Sequence, residues 1–142
     1  MKELADSESR FFPFRGVDIH YKKVEPFSPT SPSDDEILGT GGTLMLGTPA
    51  VLLHGFGASL FSWHRILSPI ATLLGSPAVA FDRPAFGLTE RVKPPGGSRR
   101  GSTPPKDNPY SATFSADCTR AFSSYLLSAF PPRPARKVIL IA

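Results

Sequence analysis

Cysteine is nearly absent from this chain: Cys118 stands alone. A single thiol excludes an intrachain disulfide and any cysteine-based zinc site. Long apolar runs are missing too, and none approaches the roughly 20 residues that span a bilayer, so no membrane span is read. The first eight residues carry Glu3, Asp6 and Glu8 and no apolar core, which matches neither a secretory leader nor a transit peptide. The compartment is left open, with the cytoplasm as default and the plastid not excluded. The three histidines, His20, His54 and His64, lack close ligand spacing, so no metal site is read, and no motif calls for a cofactor. Gly-x-Ser-x-Gly, the usual setting of a serine nucleophile on a strained turn, occurs nowhere.

Proline is what the chain has in excess. Of its 16 prolines, 13 fall in three clusters, 26–49, 84–109 and 131–134, and they leave the apolar residues concentrated between them. The net charge of +4 is uneven. The first 36 residues are acidic, while 83–106 carries Arg83, Arg91, Lys93, Arg99, Arg100 and Lys106 against Glu90. No aromatic platform interleaves with those cations as single-strand binding requires. The stretch reads as a solvated loop, and no nucleic acid partner is expected. Three parts follow: a segment and hairpin over 1–25, a Ser/Pro/Gly-rich linker over 26–48, and a core over 49–142 with a basic Pro/Gly-rich loop at 90–108.

Hydrophobic patterning places the elements. Arg10 to Phe14 is strand-like, Arg15-Gly16 is a turn signal, and Val17 to Lys22 alternates as a half-buried strand does. Val51 to Leu53, Ala78 to Phe81 and Val138 to Ile141 are apolar at every position, as strands covered on both faces are. Between the first two of these lies a helical pattern through Trp63, Ile66, Leu67, Ile70, Leu73 and Leu74. Pro69 inside it predicts a short turn, then a helix capped by Ser68 with Pro69 at its first position. Before the last strand, Phe114, Cys118, Ala121, Phe122, Tyr125, Leu126 and Ala129 form one stripe. Asp117 is placed near that helix's start, where it suits the dipole, and Pro131-Pro132 ends it. Cys118 lies on the stripe and reads as inert core. Hairpin, strand, helix, strand, helix, strand predicts an α/β fold: an N-terminal hairpin plus parallel strands with two crossover helices.

Chemistry concentrates after the first all-apolar strand. In His54-Gly55-Phe56-Gly57 the glycines let the chain turn sharply at the strand end. Such a turn leaves the Phe56 N–H as a candidate donor to a developing oxyanion, although an ordinary strand-to-helix turn uses the same residues. The next strand ends in Asp82, whose carboxylate can accept backbone bonds and fix its loop, and Gly87 permits a further tight turn. Both loops leave from strand C-terminal ends, where open α/β sheets bind ligands.

The series Leu52 to Ser59, Trp63-His64-Arg65, Phe81 to Gly87 and Pro109-Tyr110-Ser111 resembles the α/β-hydrolase family, particularly its plant members. The resemblance runs over 11–141, with 26–47 and 92–108 as inserts. It implies a serine-type hydrolase acting on an ester or related acyl or carbon–carbon bond. It also implies that His54, Gly55, Phe56 and Gly57 form the oxyanion loop, which Asp82 and Gly87 shape. No catalytic residue carries over. The family's nucleophile follows the fifth core strand, the acid and base come later, and this sequence reaches Ala142 one residue past Ile141. The expectation is an incomplete α/β-hydrolase sheet, catalytically inactive by that mechanism. A small-molecule substrate is expected only for a complete form. The last strand would then present an open apolar edge to a full-length relative or a chaperone. Two other readings stay open: a binding or regulatory protein that pairs through that edge, and a weak hydrolase with an unorthodox nucleophile such as Ser59.

Overall fold

A computed structural model describes residues 5–27, 47–92, 108–128 and 137–142. Most of the linker, the basic loop from residue 93 onward and the Pro131-Pro132 terminator lie outside the described residues. The α/β class expected from the pattern is the one found. Five strands, β1 (Arg10–Phe14), β2 (Val17–Val24), β3 (Ala50–Leu53), β4 (Ala78–Phe81) and β5 (Ile139–Ile141), form one sheet in the order β1-β2-β4-β3-β5. β2 runs antiparallel to β1 and β4, and β3 runs parallel to β4 and β5.

Local chemistry explains each element. Arg15 (φ +48°) and Gly16 (φ +75°) both sit left-handed, as the two central residues of a tight hairpin turn do, and Phe14 pairs with Val17 across them. The Arg15 guanidinium covers the Phe14 ring at 5.1 Å and reaches Asp117 at 2.9 Å. A 3₁₀ turn over Leu60–Trp63 precedes helix α1 (Leu67–Leu74), and the left-handed Gly75 closes the helix. The cap is Ile66, not Ser68, so Pro69 occupies the third helical position. That position is still in the first turn, where backbone N–H groups have no intrahelical acceptor to lose.

Helix α2 (Ala112–Ser128) is started by the Ser111 hydroxyl, which accepts the Phe114 N–H at 3.0 Å. Asp117 lies beyond the first turn. Its work is ion pairing with Arg15 and Arg120 rather than capping the dipole.

The two helices cover opposite faces. Val51, Val79 and Phe81 meet the buried stripe Phe114, Cys118, Phe122 and Leu126 of α2 on one side. Ala50, Leu52, Ala78 and Ala80 meet Leu60, Leu67, Ala71 and Leu74 on the other. The all-apolar strands β3 and β4 are thus buried on both faces, whereas β5, expected to be covered in the same way, is not: Ile139 and Ile141 are half-buried and Leu140 is 56% exposed. Phe122 anchors the α2 side, with ring centroids 4.8 Å from Phe81, 4.9 Å from Phe12 and 5.3 Å from Tyr21. β2 departs from its half-buried expectation. Its polar face is covered as well, with His20 fully buried and Lys22 9% exposed.

Candidate functional site

β3 is the pivot of the sheet. From β3 the chain passes through α1 to β4 on one side, then through α2 to β5 on the other. Adjacent strands reached in opposite directions define the crevice where α/β proteins bind ligands. Leu52 pairs in parallel with Ile141, so the turn after β3 and Ala142 leave the sheet side by side.

That turn is built by its glycines and by His54. The Ala58 N–H donates to the Gly55 carbonyl at 3.2 Å, and Gly57 sits at φ +77°. A Cβ on Gly57 would meet nothing within 4 Å, so the demand for glycine there is purely conformational. His54 is 3% exposed. Its Nε2 accepts the Arg83 N–H at 3.0 Å, which requires a lone pair there and leaves the proton on Nδ1, 2.9 Å from the Gly55 carbonyl. Both ring nitrogens are occupied, Nδ1 within its own turn and Nε2 in joining that turn to the next loop. Phe56 stands at the corner of the turn, 94% exposed. Among the described residues its N–H has no hydrogen-bond partner. The Phe86 ring lies 5.7 Å from Phe56 and 5.3 Å from His54, both edge-on, and the Arg83 guanidinium stands 6.0 Å from Phe86.

Asp82 ties these loops to the sheet. The carboxylate is fully buried. Oδ1 accepts the Leu60 N–H at 2.7 Å, and Oδ2 accepts the Leu88 N–H at 2.9 Å and the His20 Nδ1–H at 2.7 Å. Burial by itself pushes this carboxyl up. The His20 bond and the two backbone donors outweigh burial and hold it below its ordinary value of 3.8. Thr89 completes the knot, donating its hydroxyl to the Asp82 carbonyl at 2.6 Å and accepting the His20 N–H at 3.0 Å. Gly87 (φ +51°) leaves no room beside it, since a Cβ there would fall 2.0 Å from Asp82 Oδ2.

The six residues singled out from the sequence therefore fall into two adjoining groups. His54, Gly55, Phe56 and Gly57 make one turn, Asp82 and Gly87 pack against each other, and the Leu60 and Arg83 N–H groups bridge the two. Ser59 is half-buried and precedes the 3₁₀ turn without a side-chain capping bond. The histidine bonds go elsewhere, and His64 is spent on the Phe61 carbonyl at 2.7 Å. Sequence reasoning missed His20 and Ser9. His20 Nε2 lies 2.9 Å from Ser9 Oγ, so Ser9, His20 and Asp82 form one connected chain. The one available signal was the shared parity of Asp18, His20 and Lys22 on β2, a polar face needing partners once covered. Burial pushes the Cys118 thiol up to about 12, which leaves it inert. Among the described residues no cluster of three metal-ligating side chains exists, and no helix is long and apolar enough to cross a membrane.

No family model and no curated protein matches the sequence. Solved structures of α/β-hydrolase enzymes are similar in part. An epoxide hydrolase from Vigna radiata shares 18% identity over 94% of this chain and 39% of its own, with a TM-score of 0.45. The Cif epoxide hydrolase from Acinetobacter nosocomialis shares 21% identity over 62% of this chain and 21% of its own, with a TM-score of 0.40. A bromoperoxidase from Bacillus anthracis shares 22% identity over 54% of this chain and 20% of its own, with a TM-score of 0.35. The chain thus spans from a fifth to two fifths of the proteins it resembles.

Proposed function

We propose that this chain supplies the oxyanion half of an α/β-hydrolase site, for an ester, epoxide or related acyl or carbon–carbon substrate, and does not itself hydrolyse by that family's mechanism. The observation that carries the reading is the pairing of Leu52 with Ile141. It sets the exposed Phe56 turn directly beside the end of β5, where a nucleophile following that strand would stand. A backbone N–H at this place stabilises charge developing on a substrate oxygen, and losing one such donor costs about 3 kcal/mol of transition-state stabilisation. His54 and Asp82 keep the turn in position. No Gly-x-Ser-x-Gly elbow accompanies it among the 142 residues, so these residues do not hold the attacking group of that mechanism.

Reading the transcript beyond the Ala142 codon tests the proposal. Continuation into a glycine-flanked serine elbow supports it. A stop codon with no such sequence downstream overturns it. That second outcome favours a binding or regulatory protein, a reading supported by β5. Among the described strands β5 pairs on one side alone, and Leu140 is 56% exposed. An open apolar edge of this kind takes up strands from other chains.

A further inference from the structure

We propose that Ser9 is an acyl-accepting nucleophile toward small aryl esters, with His20 as its base and Asp82 holding that base in place. The proposal stands apart from the Phe56 turn and does not depend on it. Its ground is a hydroxyl–imidazole–carboxylate chain with both links closed, 2.9 Å from Ser9 Oγ to His20 Nε2 and 2.7 Å from His20 Nδ1 to Asp82 Oδ2. A nucleophile within reach of a base that a third group orients is the diagnostic geometry of covalent catalysis. His20 and Asp82 are fully buried, while Ser9 is half-buried and reachable from solvent. The Leu60 and Leu88 N–H groups fix the carboxylate, so the imidazole is held with Nδ1–H toward Asp82 and Nε2 toward Ser9. The Phe11 and Phe61 rings flank that imidazole at 5.3 and 6.0 Å, an apolar setting for an aryl leaving group.

A competitor holds the hydroxyl in its resting state. Ser9 Oγ has one proton and two acceptors, His20 Nε2 and Asp6 Oδ1, each at 2.9 Å. Asp6 is itself held by Lys22, whose ammonium bonds its other oxygen. Rotation about the Ser9 Cβ–Oγ bond turns the proton to His20. The Ser9 N–H is committed to the Asp6 carbonyl at 3.0 Å, so it is not an oxyanion donor, and the Lys22 ammonium, shared between Asp6 and Glu8, is the cation at hand. In the reaction Ser9 Oγ bonds to the ester carbonyl carbon as its proton passes to His20 Nε2. The carbon–aryloxide bond then breaks, and the phenol leaves with that proton. Water attacks the acyl-serine and gives a proton to His20, which returns it to Ser9 Oγ as the carboxylic acid departs.

The test uses the full chain with p-nitrophenyl acetate and a fluorophosphonate, read by nitrophenolate release and by peptide mass mapping. One adduct on Ser9 is expected, absent in Ser9→Ala. Asp6→Ala frees the hydroxyl, leaves Lys22 paired with Glu8 at 3.5 Å, and should speed labelling. His20→Gln, checked for folding by circular dichroism, should slow it by about 10². Ser9→Ala carries the decision if His20→Gln does not fold. An adduct on Ser59 or elsewhere, or no adduct on Ser9 in both the wild type and Asp6→Ala, overturns the proposal. Ser9 labelling that is no slower in urea-unfolded chain also overturns it, because an ordinary hydroxyl would do the same.

Discussion

Replacing Gly87 with alanine should nearly unfold this protein, and two separate terms give the magnitude. Gly87 sits at φ +51°, and a left-handed backbone costs an alanine about 1–2 kcal/mol. The second term is steric. The new methyl would lie 2.0 Å from Asp82 Oδ2, 2.1 Å from Cγ and 2.3 Å from Oδ1. The carboxylate has no alternative position that keeps its bonds to Leu60, Leu88 and His20, so a buried pair is broken at about 3–5 kcal/mol. The sum, about 4–7 kcal/mol, is comparable with the whole stability of a typical domain at about 5–15 kcal/mol. Gly16→Ala is the matched control. Its φ is +75°, yet a Cβ there meets nothing within 4 Å, so only the backbone term of about 1–2 kcal/mol applies. Urea unfolding at pH 7, followed by far-ultraviolet circular dichroism, measures both. A Gly87→Ala loss within about 1 kcal/mol of the Gly16→Ala loss would refute the claim that Asp82 is clamped in place.

The remaining expectations concern the same core. Asp82 titrates below its ordinary value of 3.8 in the folded chain, so its contribution is full above that value and is lost as pH falls through it toward the native one. The urea midpoint should drop between pH 5 and pH 3 and drop less in Asp82→Asn; a flat wild-type profile would contradict this. Cys118, with its thiol raised to about 12, should resist Ellman's reagent in the native chain and react in urea, and immediate native reaction would contradict its burial. His54→Ala strips the Arg83 N–H of its acceptor and should cost about 1–3 kcal/mol, read as a lower urea midpoint; an unchanged midpoint would mean the two loops are joined by other contacts.

The sheet was legible where burial is local. Val51 to Leu53 and Ala78 to Phe81 announce two covered faces by being apolar throughout, and Arg15-Gly16 announces its turn through the one residue that adopts φ > 0 freely. The strand order was not legible, because neighbours in the sheet are not neighbours in sequence and no single-segment pattern encodes which way a crossover goes. The candidate site divides the same way. His54 to Gly57 could be read from one strand end. Asp82 and Gly87 could be read from the next, although their mutual contact depends on the loop closing on itself. His20 could not be placed, since its meeting with Asp82 spans 62 residues and depends on the β2–β4 register. Ser9 precedes β1 and acquires its partner only when β1 folds onto β2. Pro69 and Asp117 show the remaining kind of error. Pro69 was assigned to the first helical position and Asp117 to the start of its helix by residue type, while packing set where each helix began.

Hydrolysis by the purified Ser9→Ala chain puts the account to its most direct test, with p-nitrophenyl acetate and styrene oxide as substrates. That variant keeps the Phe56 turn and removes the hydroxyl that bonds a histidine ring, Ser9 Oγ on His20 Nε2. No turnover above buffer is the expected result. Turnover that scales with protein concentration and disappears on fluorophosphonate treatment would contradict the claim that this polypeptide carries the oxyanion half of the site without its nucleophile.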